Sequence, residues 1–540
     1  MKIRKILSVL FTIVFLSSTT ACYSLNNLFN FNSSKTSTNT GADKTSYKTP
    51  TYTSKYTKEN MNLNNIGLGY GYHYMKSTGT QKMLVIPIET KDSSFASSSL
   101  TQLDKCFFGA DSDTGWESVA SFYKKSSYGL LNLEGEVSDV YKLSLTTSQL
   151  ESKFNKASKS GENYTDDVLD EALDYLDSSI DLSEYDSDND GYIDSVWMIY
   201  SCESDTSSSL YWAFTTWSAN ENKHNGKKVS SYSWASIDFL TEYNYKEGLN
   251  DQSYADAHTY IHETGHQLGL DDYYSYDYSY SYSNKNGNAD TPAGGVDMMD
   301  ANIGDHMAFS KYQLGWIDPI VVTEEYLKAN DYTLTLSALQ SSSSNNAFIL
   351  PLYNDDEEID YNYTPFDEYL IVEYYTPNNL NATDVKGYTS GIKTYSQYGV
   401  LVYHVNATIG KLVAKGSSAV WNGEAYDKIT NASSDSSYGK SYLFAMLYNN
   451  TASYCWDTSL SDSNLSYYRG RLVSLLPASG NRINGNKTGY SSNSSLFKQG
   501  KSFSSSLYSD FQFDDGSKVK YGFTVKETSS SNCQLTFSEF

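Results

Sequence analysis

The sequence predicts a mixed α/β (α+β) domain followed by a β-rich C-terminal region of sandwich type. Two observations lead there. Apolar runs of strand length alternate with helical patterns as far as Trp316, as in strands interleaved with helices. After Ile320 the pattern changes, and short β-type runs recur between clusters of Asn, Ser, Gly and Asp. At 540 residues the chain is too long for one compact core. Its expected divisions are a leader over 1–22, a flexible tether over 23–65, a first domain over 66–318 and the β-rich region over 319–540.

The elements follow in order. Met1 to Lys5 is a basic start, Ile6 to Leu16 an apolar core, and Ser17 to Ala21 a small-residue stretch before Cys22. That layout is an export signal, its core shorter than the ~20 residues of a spanning helix. Cys22 resembles the lipid-modified Cys of bacterial lipoprotein signals, which makes it a candidate lipid anchor. Thr19, where such signals usually carry Leu, leaves ordinary cleavage and release open. Both place the mature chain outside the cytoplasm, and no later stretch suits a transmembrane helix. Residues 23–65 read as a tether, with a short propeptide as the competing reading.

Order is expected from Lys82. Met83 to Ile88 is a strand buried on both faces, and Val196 to Tyr200 a second. Trp116 to Ser126 has helical spacing and stops at Tyr128-Gly129, and Leu130 to Val140 looks extended. Asn163 to Leu176 reads as a helix with Thr165 as N-cap and acids in its first turn. Further on, Tyr369 to Tyr374, Gly399 to Val405 and Val519 to Lys526 are strands.

Charge and cysteines narrow the function. A formal charge of −24 with no basic stripe argues against a nucleic-acid partner. Besides Cys22 there are Cys106, Cys202, Cys455 and Cys533, with no zinc-finger spacing among them.

His262-Glu263-Thr264-Gly265-His266 carries the chemistry. Two histidines four apart on a helix share a face and can reach one ion. Glu263 is rotated away from the ion but within reach of a water on it, which suits a general base. Gly269 can take the positive φ that ends the helix, and Asp272 then returns as third ligand, with Asp271 as the rival. With 7 histidines, chance gives H-E-x-x-H on the order of three times per thousand such chains. Adding Gly269 and Asp272 lowers that to roughly one in a hundred thousand, so coincidence is set aside. Downstream, Met299 in Gly294 to Asp300 is expected as the floor beneath the histidines. His258, four residues before His262, reads as a cap or surface residue.

Asp186-Ser187-Asp188-Asn189-Asp190-Gly191-Tyr192-Ile193-Asp194 places oxygens at alternate positions around a glycine bend. Asp186, Asp188, Asp190, Asp194 and the Tyr192 carbonyl are candidate Ca²⁺ ligands. Trp197 stands where the closing Glu of such a loop belongs, and an acidic turn is the other reading.

These residues resemble the immune inhibitor A family of secreted bacterial zinc metallopeptidases. The resemblance rests on the zinc motif with Asp as third ligand, on Asp297-Met298-Met299-Asp300, on His306 and on Ser310 to Trp316. Ser118 to Gly129, Glu368 to Glu373 and Gly399 to Val405 are similar as well. It implies a metzincin-like catalytic domain, zinc, calcium and hydrolysis of protein or peptide substrates. The Tyr- and Ser-rich stretch Tyr273 to Asn288 departs from the family pattern. A non-catalytic, zinc-stabilised surface adhesin is the alternative from another class.

Overall fold

The computed structural model describes residues 62–64, 67 and 72–539, apart from 115, 161–163, 205–209, 218–221, 242–254, 275–291, 355, 385–394, 408–409, 416–417, 422–443, 446–471, 481–489, 509–512 and 514–516. The leader with Cys22, the tether up to 61, Cys455 and most of the Tyr- and Ser-rich stretch lie outside the described residues. The fold is mixed, with helices and several sheets.

The first half is built on a six-stranded sheet. Strand β1 (Gly79–Glu89) is flanked in parallel by β2 (Leu131–Val137) and β3 (Ser195–Tyr200). The three-residue strand β4 (Phe214–Thr216) forms one edge, antiparallel to β5 (Tyr232–Ser236), which is itself parallel to β3. The order is β2-β1-β3-β5-β4, with Tyr141–Lys142 pairing beside β1. Continuous apolar runs suit β1 and β3 because both faces are covered. Leu84, Ile86, Val196 and Met198 meet Leu150, Phe154, Val168, Leu169 and Leu173 on one side. Those five lie on α3 (Thr147–Ser160) and α4 (Tyr164–Leu176) once α1 (Ser99–Phe108) and α2 (Val119–Ser126) are counted. Met83, Val85, Trp197 and Ile199 face the other side, against Phe107, Phe122 and Tyr260.

Helix α2 starts at a capping box, Ser118 and Ser121 exchanging side-chain and backbone hydrogen bonds at 3.0 and 2.9 Å. It closes on Tyr128 and Gly129, both at positive φ. Helix α4 begins one residue before Thr165, so Thr165 is not its N-cap. The buried Thr165 hydroxyl meets Tyr232 Oη at 2.6 Å instead. Packing also begins earlier than Lys82: Leu63 and Met75 are buried in the central core, and Met75 N donates to Gln267 O at 3.0 Å.

The second half holds two stacked sheets. One runs β6 (Ile320–Val321), β8 (Ala347–Leu350), β9 (Glu368–Tyr375), β10 (Gly399–Asn406) and β11 (Val473–Leu475), each bonded to the next. The other has the order β7 (Thr333–Ser337), β14 (Asn532–Glu539), β13 (Tyr521–Thr528) and β12 (Ser502–Phe503). Between them Phe348 meets Phe523 and Phe537 at ring separations of 5.8 and 5.6 Å. Along β9, Leu370, Val372 and Tyr374 enter this sandwich core, whereas Tyr369, Ile371 and Tyr375 enter the core of the first half. Both strand faces are therefore buried, and the central core runs across the expected boundary at 318. Cys106, Cys202 and Cys533 are buried free thiols. Among the described residues no helix is long and apolar enough to cross a membrane.

Candidate metal centre

Helix α5 (His258–Gln267) is buried along its whole length and carries the sequence motif. Gln267 Nε2 donates to Val196 O at 3.1 Å and to Ser233 Oγ at 2.7 Å, fastening the helix beneath β3 and β5. The rings of His262 and His266 lie 4.9 Å apart at 85°. Past the helix end Gly269 takes a φ of 94°, and Leu270 N returns to Gly265 O at 3.1 Å. That reversal brings Asp272 back to the ring edges.

The hydrogen bonds fix what converges there. His262 Nδ1 donates to Met298 O at 2.8 Å, and His266 Nδ1 to Leu270 O at 2.7 Å. A carbonyl only accepts, so both Nδ1 atoms carry protons and both Nε2 atoms can offer lone pairs. Both face one oxygen: Asp272 Oδ1 is 2.9 Å from His262 Nε2 and 3.3 Å from His266 Nε2. Three acceptors meeting at a buried point need protons or a cation between them. Without a metal, protons serve. Burial disfavours charge on Asp272, yet His266 and His262 hold its carboxyl well below the usual carboxylate range. Burial would lower His266 too, but the Asp272 carboxylate raises it to about 10. A divalent ion meets the same demand, and two imidazoles with one carboxylate fit zinc. Asp271, the rival, is buried with its carboxyl pushed up to about 7, and Asp272 is the one set against both rings.

Glu263 is buried beside this cluster, a carboxylate oxygen within 4.8 Å of the ligand nitrogens of His262 and His266. Burial pushes its pKa up, against the pull of His266 and His262. Its Oε2 accepts from Thr215 Oγ1 at 2.8 Å, and Thr215 also meets Ser233 Oγ at 2.7 Å.

Below the histidines, α6 (Met298–Ala301) begins at Asp297, whose Oδ1 accepts from Met299 N at 2.7 Å. A Cβ on Gly265 would stand 2.4 Å from Met299 Sδ, so Met299 presses against the helix between the two histidines. Met298 contributes its carbonyl to His262. Asp297 Oδ2 accepts from Met307 N at 2.6 Å and Ser310 Oγ at 2.8 Å, and His306 Nδ1 lies 3.3 Å from Oδ1.

The acidic loop is more guarded. Carboxylate oxygens of Asp186, Asp188 and Asp190 lie within 4.8 Å of one another. Lys227 already reaches Asp186 at 2.6 Å, Lys76 reaches Asp188 at 2.8 Å and His73 reaches Asp190 at 2.6 Å. Asp194, expected in the same donor set, accepts from Ser187 N at 2.9 Å, and Tyr192 stacks its ring on His73 at 3.6 Å. His258 is neither a cap nor on the surface: it is buried, 2.9 Å from Asp256 Oδ1 and stacked on Trp116 at 4.2 Å.

Two site residues had no signal in the sequence. Thr215 sits on a strand too short for periodicity, and Trp217 Nε1 donates to His266 O at 2.7 Å from the residue after it. No protein-family model matches the chain, and no curated protein matches it.

Proposed function

We propose that the chain is a zinc-dependent endopeptidase of metzincin-like design, akin to the immune inhibitor A family, exported to the cell surface or beyond. The observation carrying this is the convergence of two imidazole nitrogens and one carboxylate oxygen at a buried point beside a second carboxylate. His262, His266 and Asp272 would hold the zinc. The ion, when bound, supplies Lewis-acid chemistry toward a water and a peptide carbonyl.

The chain's own residues do the rest. Glu263 takes the proton of the attacking water and delivers it to the leaving amine. Thr215 occupies Oε2, which leaves the other oxygen for that transfer. Among the described residues β4 pairs with β5 alone, so its outer edge has backbone groups to offer an extended peptide next to Glu263. A stability-only zinc site has no use for a buried, Thr-anchored carboxylate that is not a ligand. That disfavours the adhesin.

A Ca²⁺ at Asp186, Asp188 and Asp190 belongs to the same proposal, in a structural role and in competition with Lys76, Lys227 and His73. Asp194 and the Tyr192 carbonyl would complete that donor set.

The test is casein cleavage by the purified chain. A zinc chelator should abolish it and added Zn²⁺ restore it. Cleavage persisting after complete metal removal contradicts the proposal.

A further inference from the structure

The C-terminal β region touches the Met298 segment at several points. Glu373 falls on the face of β9 that leaves the sandwich, where Tyr369, Ile371 and Tyr375 enter the central core. It is 2% exposed, and its Oε2 accepts from Ala308 N at 2.7 Å. Ala308 opens α7 (Ala308–Gln313), where an N–H has no partner inside the helix. One residue earlier Met307 N is held by Asp297, which also holds Met299 N. Between Asp297 and Met299, the Met298 carbonyl accepts from His262 Nδ1. The other end of the segment is clasped too. Ser491 Oγ donates to Gly294 O at 2.6 Å, and Leu475 N donates to Pro292 O at 2.8 Å. A further clasp is Asp305 N on Asn381 Oδ1 at 3.0 Å.

We propose that the C-terminal β region is part of the metal centre: Glu373 and Ser491 are positioning residues that fix the 292–308 segment, whose Met298 carbonyl orients His262. The inference rests on the zinc reading above. A ring whose Nδ1 partner is held from both ends keeps its Nε2 aimed with little freedom, and such outer partners tune metal affinity. The second half thus acts on the ligand without touching the ion.

The experiment uses the full chain. Zinc dissociation constants are measured by competition with a chromogenic chelator, and the visible spectrum of the Co²⁺-substituted protein is recorded. Wild type is compared with Glu373→Ala, Glu373→Gln and Ser491→Ala. Glu373→Ala, which removes the acceptor for Ala308 N, should weaken zinc binding about tenfold and alter the cobalt bands. Glu373→Gln keeps an acceptor oxygen and should restore both. Ser491→Ala, which removes the Oγ clasp and leaves Ser491 N on Gly294 O at 3.1 Å, should weaken binding by a smaller factor, about threefold, and it decides the matter if Glu373→Ala does not fold. Wild-type affinity and bands in folded Glu373→Ala, or in Ser491→Ala where that variant stands alone, overturn the proposal. Failure of Glu373→Gln to restore them does so too. A wild type that binds no zinc overturns the parent reading and this one together, which separates the two failures.

Discussion

The two faces of the five-stranded sheet look onto different kinds of interior. On the sandwich side, Phe348, Phe523, Phe537, Leu370 and Val372 form a largely hydrocarbon core, with a buried His404–Glu368 pair 2.8 Å apart farther along the strands. On the other side, Glu373, Asp297, His306, Lys311 and Asp305 are buried among apolar residues. There Lys311 Nζ lies 2.9 Å from Asp305 Oδ2, and burial lowers the Lys311 pKa. The contrast teaches what each core is for. A hydrocarbon core holds the sheet by area alone, and truncation there costs area and leaves a cavity. A polar core fixes directions, and truncation there leaves a buried donor or acceptor unmet. The site sits on the second kind.

Five outcomes sharpen or break that division. The largest is Glu263→Gln, which should lower turnover by roughly 10²- to 10⁴-fold while unfolding in urea stays near wild type. Loss of stability with retained turnover would reverse the assignment. Next, Phe523→Ala in the hydrocarbon core should cost about 3–5 kcal/mol in urea unfolding and leave zinc stoichiometry in the folded fraction unchanged. Zinc loss from the folded fraction would break the separation of the two cores. Third, Thr215→Val should reduce kcat by about tenfold with KM and zinc content held, the loss of a hydrogen bond to a charged group. Thr215→Ser should recover it, and equal damage from both variants would argue for packing instead.

The fourth concerns pH. Unfolded, Glu373 titrates near its ordinary 4.5; folded, burial holds its proton to about 8. Between those values the folded chain binds the extra proton, so this contribution is full below about 4.5 and is lost as pH rises through about 8. Wild-type stability should therefore fall relative to Glu373→Gln from pH 5 to 8. Parallel profiles would place the charge elsewhere. Smallest of all, millimolar Ca²⁺ should raise the melting temperature of wild type by a few degrees, about 1 kcal/mol or less, but not that of Asp188→Asn. Equal shifts would remove calcium from the acidic loop.

Much of the first half was legible. Met83 to Ile88 and Val196 to Tyr200 are continuous apolar runs, and such runs report a sheet covered on both sides. The helix bearing His262 and His266, and the turn at Gly269, follow from short-range rules, because four-residue spacing and positive φ are local properties. What escaped is non-local. Thr165 resembles a cap until Tyr232 arrives from a distant strand. Lys76, Lys227 and His73 reach the acidic loop from segments with no marker of their own. Glu373 is a single acid within an otherwise apolar run, and its partner, Ala308 N, comes from a distant helix. The Met298 carbonyl is backbone, which no side-chain pattern encodes.

The most direct measurement is zinc content per chain, taken alongside casein turnover, for wild type, Asp272→Ala and Glu263→Gln. The expected result is about one zinc in wild type and in Glu263→Gln, little in Asp272→Ala, and cleavage by wild type alone. Full zinc and full cleavage in Asp272→Ala would contradict the three-ligand centre at its root.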